Sequence, residues 1–140
     1  MTLSIALTED LATCHALRRA VFIEEQGVSV IEEVDGRDTD ALHILAHKDG
    51  QAVGCARILV AGATGKIGRV CVLAQMRGQG VGVALIEAAL DCLRQIDGVT
   101  QARLGAQTHA IGFYERLGFS VDGPEYLDAG IVHRDMVRPV

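Results

Sequence analysis

Apolar and polar residues alternate over residues 3–7 (Leu-Ser-Ile-Ala-Leu), the period-two signature of a strand. Thr8 follows as an N-cap candidate, with Glu9 and Asp10 in the first turn, where a helix dipole favours anions. Leu11, Cys14, Leu17 and Val21 then recur at helical spacing, which predicts a helix ending near Gln26-Gly27. Residues 27–41 carry no clean period, only the turn signal Asp35-Gly36. Three strands are predicted next: 42–47, the apolar stretch 52–60 with Arg57 as its one charge, and 66–73. Asp49-Gly50 joins the first two as a hairpin, and 61–65 is a loop. Then the period changes. Val83, Ile86, Leu90 and Leu93 mark a helix of about fifteen residues, stopped near Asp97-Gly98. Ala102, Leu104 and Ala106 alternate as a strand. Thr108 is placed to cap a helix with Ala110, Phe113 and Leu117 on one face and Gly118 as its C′ residue. Phe119 and Val121 begin another strand, and 132–137 is the last. The order β-α-β-β-β-α-β-α-β-β predicts an α/β (α+β) chain with a mixed, largely antiparallel sheet, and it does not fit a pure βαβ repeat.

The 140 residues suit a single domain spanning 1–140, and 49% hydrophobic types are enough for a core. Thirteen Lys and Arg stand against 18 Asp and Glu, for a net charge of −5, so the balance gives no basic nucleic-acid footprint. No apolar run approaches the roughly 20 residues that span a bilayer, and the opening residues lack the cationic start of a secretory signal. The expected compartment is the cytoplasm, with no membrane partner. Cys14, Cys55, Cys71 and Cys92 form no C-x-x-C pair and have no His at zinc-finger spacing, so they read as reduced core thiols and no metal site is expected.

The strongest chemical signal is Arg77-Gly78-Gln79-Gly80-Val81-Gly82, set between a predicted strand and helix. Three glycines clear side chains from one stretch of backbone, and the helix beyond presents free N–H groups and the positive end of its dipole. That is a cradle for an anion, a pyrophosphate above all, and Arg77 adds a charge-assisted contact. A turn that merely lets helix and strand pack closely has the same composition. A dinucleotide fingerprint needs G-x-G-x-x-G in a parallel βαβ unit, and a P-loop needs a Lys after the glycines; neither pattern is met.

With this element order, the glycine loop resembles the acetyl-CoA motif [QR]-x-x-G-x-[GA] of the GCN5-related N-acetyltransferase (GNAT) family. A second motif of that family is matched by Gln107, Ala110, Ile111 and the run Phe113-Tyr114-Glu115-Arg116-Leu117-Gly118-Phe119. The resemblance covers most of the chain. Val21-Phe22, Glu24-Glu25-Gln26, Asp35, His43, Arg57, Gly130-Ile131 and His133 are further similar to the small bacterial ElaA/YjcF-type subgroup. The resemblance implies a sheet splayed at its middle strands, helices on both faces, and acetyl-CoA as acyl donor. It implies Arg77, Gly78, Gln79, Gly80, Val81, Gly82 and Val83 for the pyrophosphate, and Gln107, Phe113 and Tyr114 around the rest of the carrier. The backbone at Cys71 and Val72 would serve pantetheine and the developing oxyanion, a contribution worth about 3–4 kcal/mol for a buried donor.

An amine would then attack the thioester directly. Tyr114, with an ordinary pKa of about 10, matches the family's acid for the leaving thiolate; a core aromatic is the plainer reading. An ammonium cannot attack, so some group must take its proton. Many members place a Glu on the central strands, but residues 51–73 hold no carboxylate. Glu25, His43 and His133 are the candidates, with a water relay as the alternative. Ala74 replaces a common Pro and Gln107 a common Asn. The acidic stretch 24–40 would draw a cationic amine or simply be solvated. Arg57 and Arg69 would favour an anionic acceptor if they face the cleft. The acceptor is a small-molecule or peptide amine, and a homodimer stays open because many relatives dimerise. Two rivals stand beside this reading, a non-catalytic acyl-CoA-binding module and a nucleotide-binding domain.

Overall fold

The computed structural model describes residues 2–140. In chain order the elements are β1 (Leu3–Thr8), α1 (Leu11–Arg18), a π-helical continuation (Arg19–Glu25), α2 (Val30–Glu33), a 3-10 turn (Asp38–Asp40), β2 (Leu42–Lys48), β3 (Gln51–Ala61), β4 (Thr64–Val72), α3 (Val81–Arg94), β5 (Gln101–Gln107), α4 (Ile111–Arg116), β6 (Ser120–Val121), β7 (Tyr126–Asp128) and β8 (Ile131–Pro139). No helix among the described residues is long and apolar enough to cross a membrane.

Most element types follow the apolar periods; the departures sit at element ends and in two short elements that carry no period, α2 and β7. Asp10, not Thr8, caps α1: its carboxylate accepts from the Thr13 amide at 3.1 Å, while Thr8 closes β1 and its hydroxyl accepts from the Asp10 amide. The first helix does reach Gln26, but its last seven residues wind with the wider π repeat. Thr108 makes no side-chain cap; it opens a 3-10 turn, and α4 starts at Ile111. The loop expected over 61–65 shrinks to a tight turn, because β3 runs to Ala61 and β4 begins at Thr64. Strand β7 carries no alternation of its own, since all three of its residues are exposed.

The sheet runs β1-β2-β3-β4-β5-β8-β6, with β7 also paired to β8. Every pairing is antiparallel except β4 with β5, which match only at Thr64–Gln101, Gly65–Ala102 and Lys66–Arg103. Beyond that point β4 continues to Val72 and β5 to Gln107 without pairing, so the sheet splays at its centre. A bulge bends β4 on the far side of the split: Arg57 of β3 pairs with Gly68, yet Cys55 pairs with Cys71. The extra residue sits at Arg69, held at φ 50°, the left-handed region that costs a side-chain-bearing residue about 1–2 kcal/mol. It reverses the parity of β4, so Ile67 and Cys71 lie in cores on opposite faces.

Side-chain alternation builds those two cores. Ile44, Val53, Ile58, Ile67, Leu104 and Met136 meet α3 on one face, through Val81, Leu85, Ile86, Ala89 and Leu93. Leu45, Cys55 and Cys71 meet Cys14, Leu17 and Val21 of the first helix on the other.

Segment 27–41 is tied down mainly by charge. Val30, Ile31 and Val34 are exposed. Arg57, buried on β3, grips both oxygens of Asp35 at 2.9 and 2.8 Å and reaches Asp38 at 3.2 Å. Arg18, also buried, takes both oxygens of Asp38 at 2.9 Å, and His15 adds a contact at 2.8 Å. Arg69 donates to the Glu33 carbonyl at 2.9 Å and lies 3.4 Å from Asp35. The Arg57 hydrogen bonds hold the Asp35 carboxyl at about 2, below its ordinary 3.8. Burial alone would raise Asp38, but His15, Arg18 and Arg57 hold it well below the usual carboxylate range.

The folded form therefore binds the Asp35 proton more weakly than the unfolded chain does. The stabilisation is complete above pH 3.8 and is lost as the pH falls toward about 2. Thermal melts across that window should show the steepest loss for the parent chain. Asp35→Asn should melt lower at pH 7 and flatten the dependence, and a parallel profile in the variant would contradict the clamp.

Candidate active site

The parting of β4 and β5 opens a cleft of about 1290 Å³. One wall comes from β4 and the loop into α3, the other from β5, α4, β7 and β8, and the roof from the π-helical turn and segment 27–41.

The loop before α3 has the shape its glycines suggested. Gly78 and Gly80 stand at φ +77° and +85°, and a Cβ on either would meet nothing within 4 Å. Gly80 is the N-cap of α3 and has no side chain to cap with, so no side chain fills the first-turn amides of Val81, Gly82 and Val83. Phe113 closes over this turn, its ring 3.3 Å from where a Gly82 Cβ would sit. Gln79 is turned aside: Lys48 donates to its Oε1, and its Nε2 reaches the Gln75 carbonyl at 3.4 Å. It shapes the loop through its backbone. The residues thus fit a diphosphate at the helix start, with room above Gly78 and Gly80.

Arg77 is already engaged. Its guanidinium binds both oxygens of Glu25 at 2.6 and 2.8 Å, and its Nε donates to the Val72 carbonyl at 3.1 Å. Next to Glu25, Gln26 accepts from Gln107 Nε2 at 3.0 Å, and Gln107 Oε1 faces His109 Nε2 at 2.8 Å. The end of the first helix therefore bridges the split, touching the β4 side through Glu25 and the β5 end through Gln26.

The Leu73 amide donates to Val53 of β3 at 2.9 Å. By strand alternation the Cys71 amide faces β3 as well, and the Val72 amide turns to the open side. Of the two backbone donors, Val72 is the one the cleft can use. The Cys71 side chain packs in the α1-side core, 3.4 Å from the Cys55 sulfur. Hydrogen bonding to Cys55 and burial push the Cys14 thiol up, away from the thiolate form.

Tyr114 lies edge-on to Phe113 at 5.0 Å and to Phe119 at 6.0 Å. No hydrogen bond among the described residues engages its hydroxyl, and burial pushes its pKa up to about 12. It lines the cleft fully protonated near neutrality.

The three proton-acceptor candidates are not brought together. Glu25 is in the cleft, but the Arg77 hydrogen bonds lower its pKa and occupy both oxygens. His43 does not reach the wall. Its Nδ1 faces Arg18 Nη2 at 3.1 Å and its Nε2 faces the Asp38 carbonyl at 2.8 Å. Arg can only donate and a carbonyl only accept, so His43 carries its proton on Nε2 and has no free lone pair. It is a buried strut of the ionic clamp. His133, on β8 opposite Gln107, lines the cleft; its Nδ1 donates to the Ile131 carbonyl at 2.7 Å, which leaves Nε2 with an open lone pair.

This arrangement has relatives. The sequence model of the acetyltransferase (GNAT) domain matches residues 11–139. The chain belongs to the GNAT acetyltransferase family. The uncharacterized N-acetyltransferase YjcF of Bacillus subtilis is 36% identical over 131 residues, covering 93% of each chain. An acyl-CoA N-acyltransferase from Pseudomonas aeruginosa superposes with a TM-score of 0.87 at 33% identity, over 98% of this chain and 99% of that one. ElaA of Escherichia coli gives 0.86 at 31%, with the same coverage. This GNAT enzyme is thus an acetyltransferase of the ElaA/YjcF type.

Within that GNAT frame, Arg57 and Arg69 do border the cleft, but Asp35, Asp38 and the Glu33 carbonyl already engage them. Tyr126, stacked on His133 with centroids 5.9 Å apart and planes 20° apart, was missed. So was Gln26. Tyr126 lies in a stretch, Asp-Gly-Pro-Glu-Tyr-Leu-Asp-Ala-Gly, whose turn formers hide a strand. Its one signal is rarity, since the chain has two Tyr.

Replacing His43 by Ala empties a buried site and removes the partner of Arg18 Nη2 and one of the partners of the Asp38 carbonyl, and should cost about 2–4 kcal/mol in denaturant unfolding. His133→Ala, half-exposed, should cost about 1 kcal/mol or less. The reverse ranking would place His43 outside the clamp.

Proposed function

We propose that this GNAT enzyme moves an acetyl group from acetyl-CoA to the amine of an acceptor by direct attack on the thioester. One observation carries the reading: a single cleft joins the open amides of α3, the free Val72 amide, the Tyr114 hydroxyl and the unpaired Nε2 of His133.

Each residue answers a separate need. The amides of Val81, Gly82 and Val83 would bind the diphosphate, and the left-handed turn at Gly80 lets the backbone approach it. Acetyl-CoA, when bound, supplies the thioester carbonyl and a thiolate leaving group. The Val72 N–H would donate to the carbonyl oxygen as it gains charge. Its own carbonyl, now taken by Arg77, is the natural partner for an amide of the carrier's arm. The acceptor would attack as the neutral amine, and as the C–N bond forms and the C–S bond breaks His133 Nε2 would accept the proton that its nitrogen sheds, while coenzyme A leaves as the thiolate.

Tyr114 does something narrower than full protonation. A pKa near 12 lies well above that of a thiol, about 8.5, so complete transfer to sulfur runs uphill. A hydrogen bond from Oη to the developing thiolate does not, and in a dry site it is strong.

The test is thiol release from acetyl-CoA across a panel of primary amines: alkylamines, diamines, amino sugars, amino acids and peptides with a free N-terminus. Release that depends on one class is expected; coenzyme A binding without release for any amine would favour the non-catalytic reading. Gly80→Glu should abolish calorimetric binding of coenzyme A, by straining the turn and placing a carboxylate where phosphate sits. Tyr114→Phe should lower kcat by about tenfold or more with coenzyme A affinity within twofold. Unchanged turnover would remove the hydroxyl from the reaction.

A further inference from the structure

We propose that Tyr126 is a positioning residue for His133, holding the imidazole so that Nε2 addresses the acceptor nitrogen. The inference rests on the reading of His133 as proton acceptor.

Strand register puts the parts on one face. Tyr126 of β7 pairs with His133 of β8, and Asp135, two residues on, pairs with Gly105 of β5. The Tyr126 ring stacks on the imidazole, and its hydroxyl donates to Asp135 Oδ1 at 2.6 Å. Asp135 is held in turn: its Oδ2 accepts from Arg103 Nη2 at 2.9 Å and Nε at 3.2 Å, and Arg103 Nη1 binds Asp122 at 2.8 Å. The phenol is thus anchored at its far end while its face lies against His133.

Two features bear on this placement. Strand β7 contributes to neither core and is exposed throughout, yet its aromatic ring turns inward to the stack, to Asp135 and to Gly105. And Gly105 is bare where it must be, because a Cβ there would run into the Tyr126 hydroxyl.

The consequence for His133 is mechanical and electrostatic. The Nδ1–H bond to the Ile131 carbonyl selects the tautomer and one edge of the ring. The stacked phenol face adds a second restraint on that ring orientation. A phenol donating to a carboxylate is electron-rich, and its face favours the imidazolium formed when the proton arrives. Burial and the Asp135 bond push the Tyr126 hydroxyl up, so it remains a donor throughout.

A double-mutant cycle tests this, read as acetyl-CoA-dependent thiol release with the best amine of the panel above. His133→Ala alone should lower kcat by about a hundredfold. Tyr126→Leu should lower kcat by about tenfold with the KM for acetyl-CoA unchanged, yet cost less than about twofold in the His133→Ala background. Gly105→Ala, which leaves both rings in the chain but displaces the hydroxyl, should show a smaller loss of the same kind. In ¹H–¹³C spectra the His133 Cε1–H resonance should lose its ring-current shift in Tyr126→Leu and keep it in Tyr126→Phe. Equal losses in both backgrounds, or a resonance unmoved by Tyr126→Leu, overturns the proposal even if His133 stands. Parental turnover in His133→Ala overturns the reading of His133, and this one with it.

Discussion

Two strands that pair at one end and part at the other give this enzyme its cleft. Between β4 and β5 only three residue pairs are joined, at Thr64–Gln101, Gly65–Ala102 and Lys66–Arg103. Past them each strand has one side of unpaired backbone, which an ordinary sheet would not leave open. The core under α3 packs on strands of both halves and joins them across the separation, and the crossover through α3 forces the parallel direction. The open amide at Val72 and the open helix start at Val81 are consequences of that separation. An acyl carrier lying between the strands would satisfy backbone groups that the fold itself leaves without partners.

The roof over the cleft is held by a different force. Segment 27–41 buries little apolar surface, so its position depends on Arg18, Arg57 and Arg69 finding Asp38, Asp35 and the Glu33 carbonyl. These arginines stand on elements already fixed by the cores, and the left-handed residue at Arg69 is part of the same device. The pair that closes the other end, Arg77 with Glu25, is of another kind. Its side chains are 44% and 39% exposed, and such pairs are worth about 0–1 kcal/mol. A diphosphate, with one charge on each phosphate, would compete with that single screened carboxylate, so on the proposed reading the contact at the mouth of the cleft is one an incoming carrier could exchange.

Much of this was legible in the residues, for stated reasons. Apolar periods of two and 3.6 located most strands and the long helices, because burial on one face dictates both. The glycine loop was legible because Gly78, Gly80 and Gly82 leave few alternatives to a turn at a helix start. What escaped was set by distant partners. Thr8 and Asp10 are both good caps, and only the end of β1 decides between them. The bulge at Arg69 shifted a parity that alternation alone carried straight through. His43 and His133 look alike in sequence, each among apolar neighbours; Arg18, 25 residues before one, and Ile131, two before the other, decide which keeps a lone pair. Tyr126 lay in a stretch with no period at all.

The division of labour across the split has a physical cause. The central strands β3 and β4 carry no carboxylate, and two of their three charges, Arg57 and Arg69, are consumed in holding the roof. A base placed beside them would be ion-paired and therefore weak, as Glu25 is beside Arg77. The opposite wall is free of that demand. On β8 a histidine can keep one nitrogen bonded to its own strand and the other open, with Tyr126 at its face. On the proposed reading, proton removal would belong to the β5–β8 arm and charge stabilisation to the β4–α3 arm, with the acceptor amine between them.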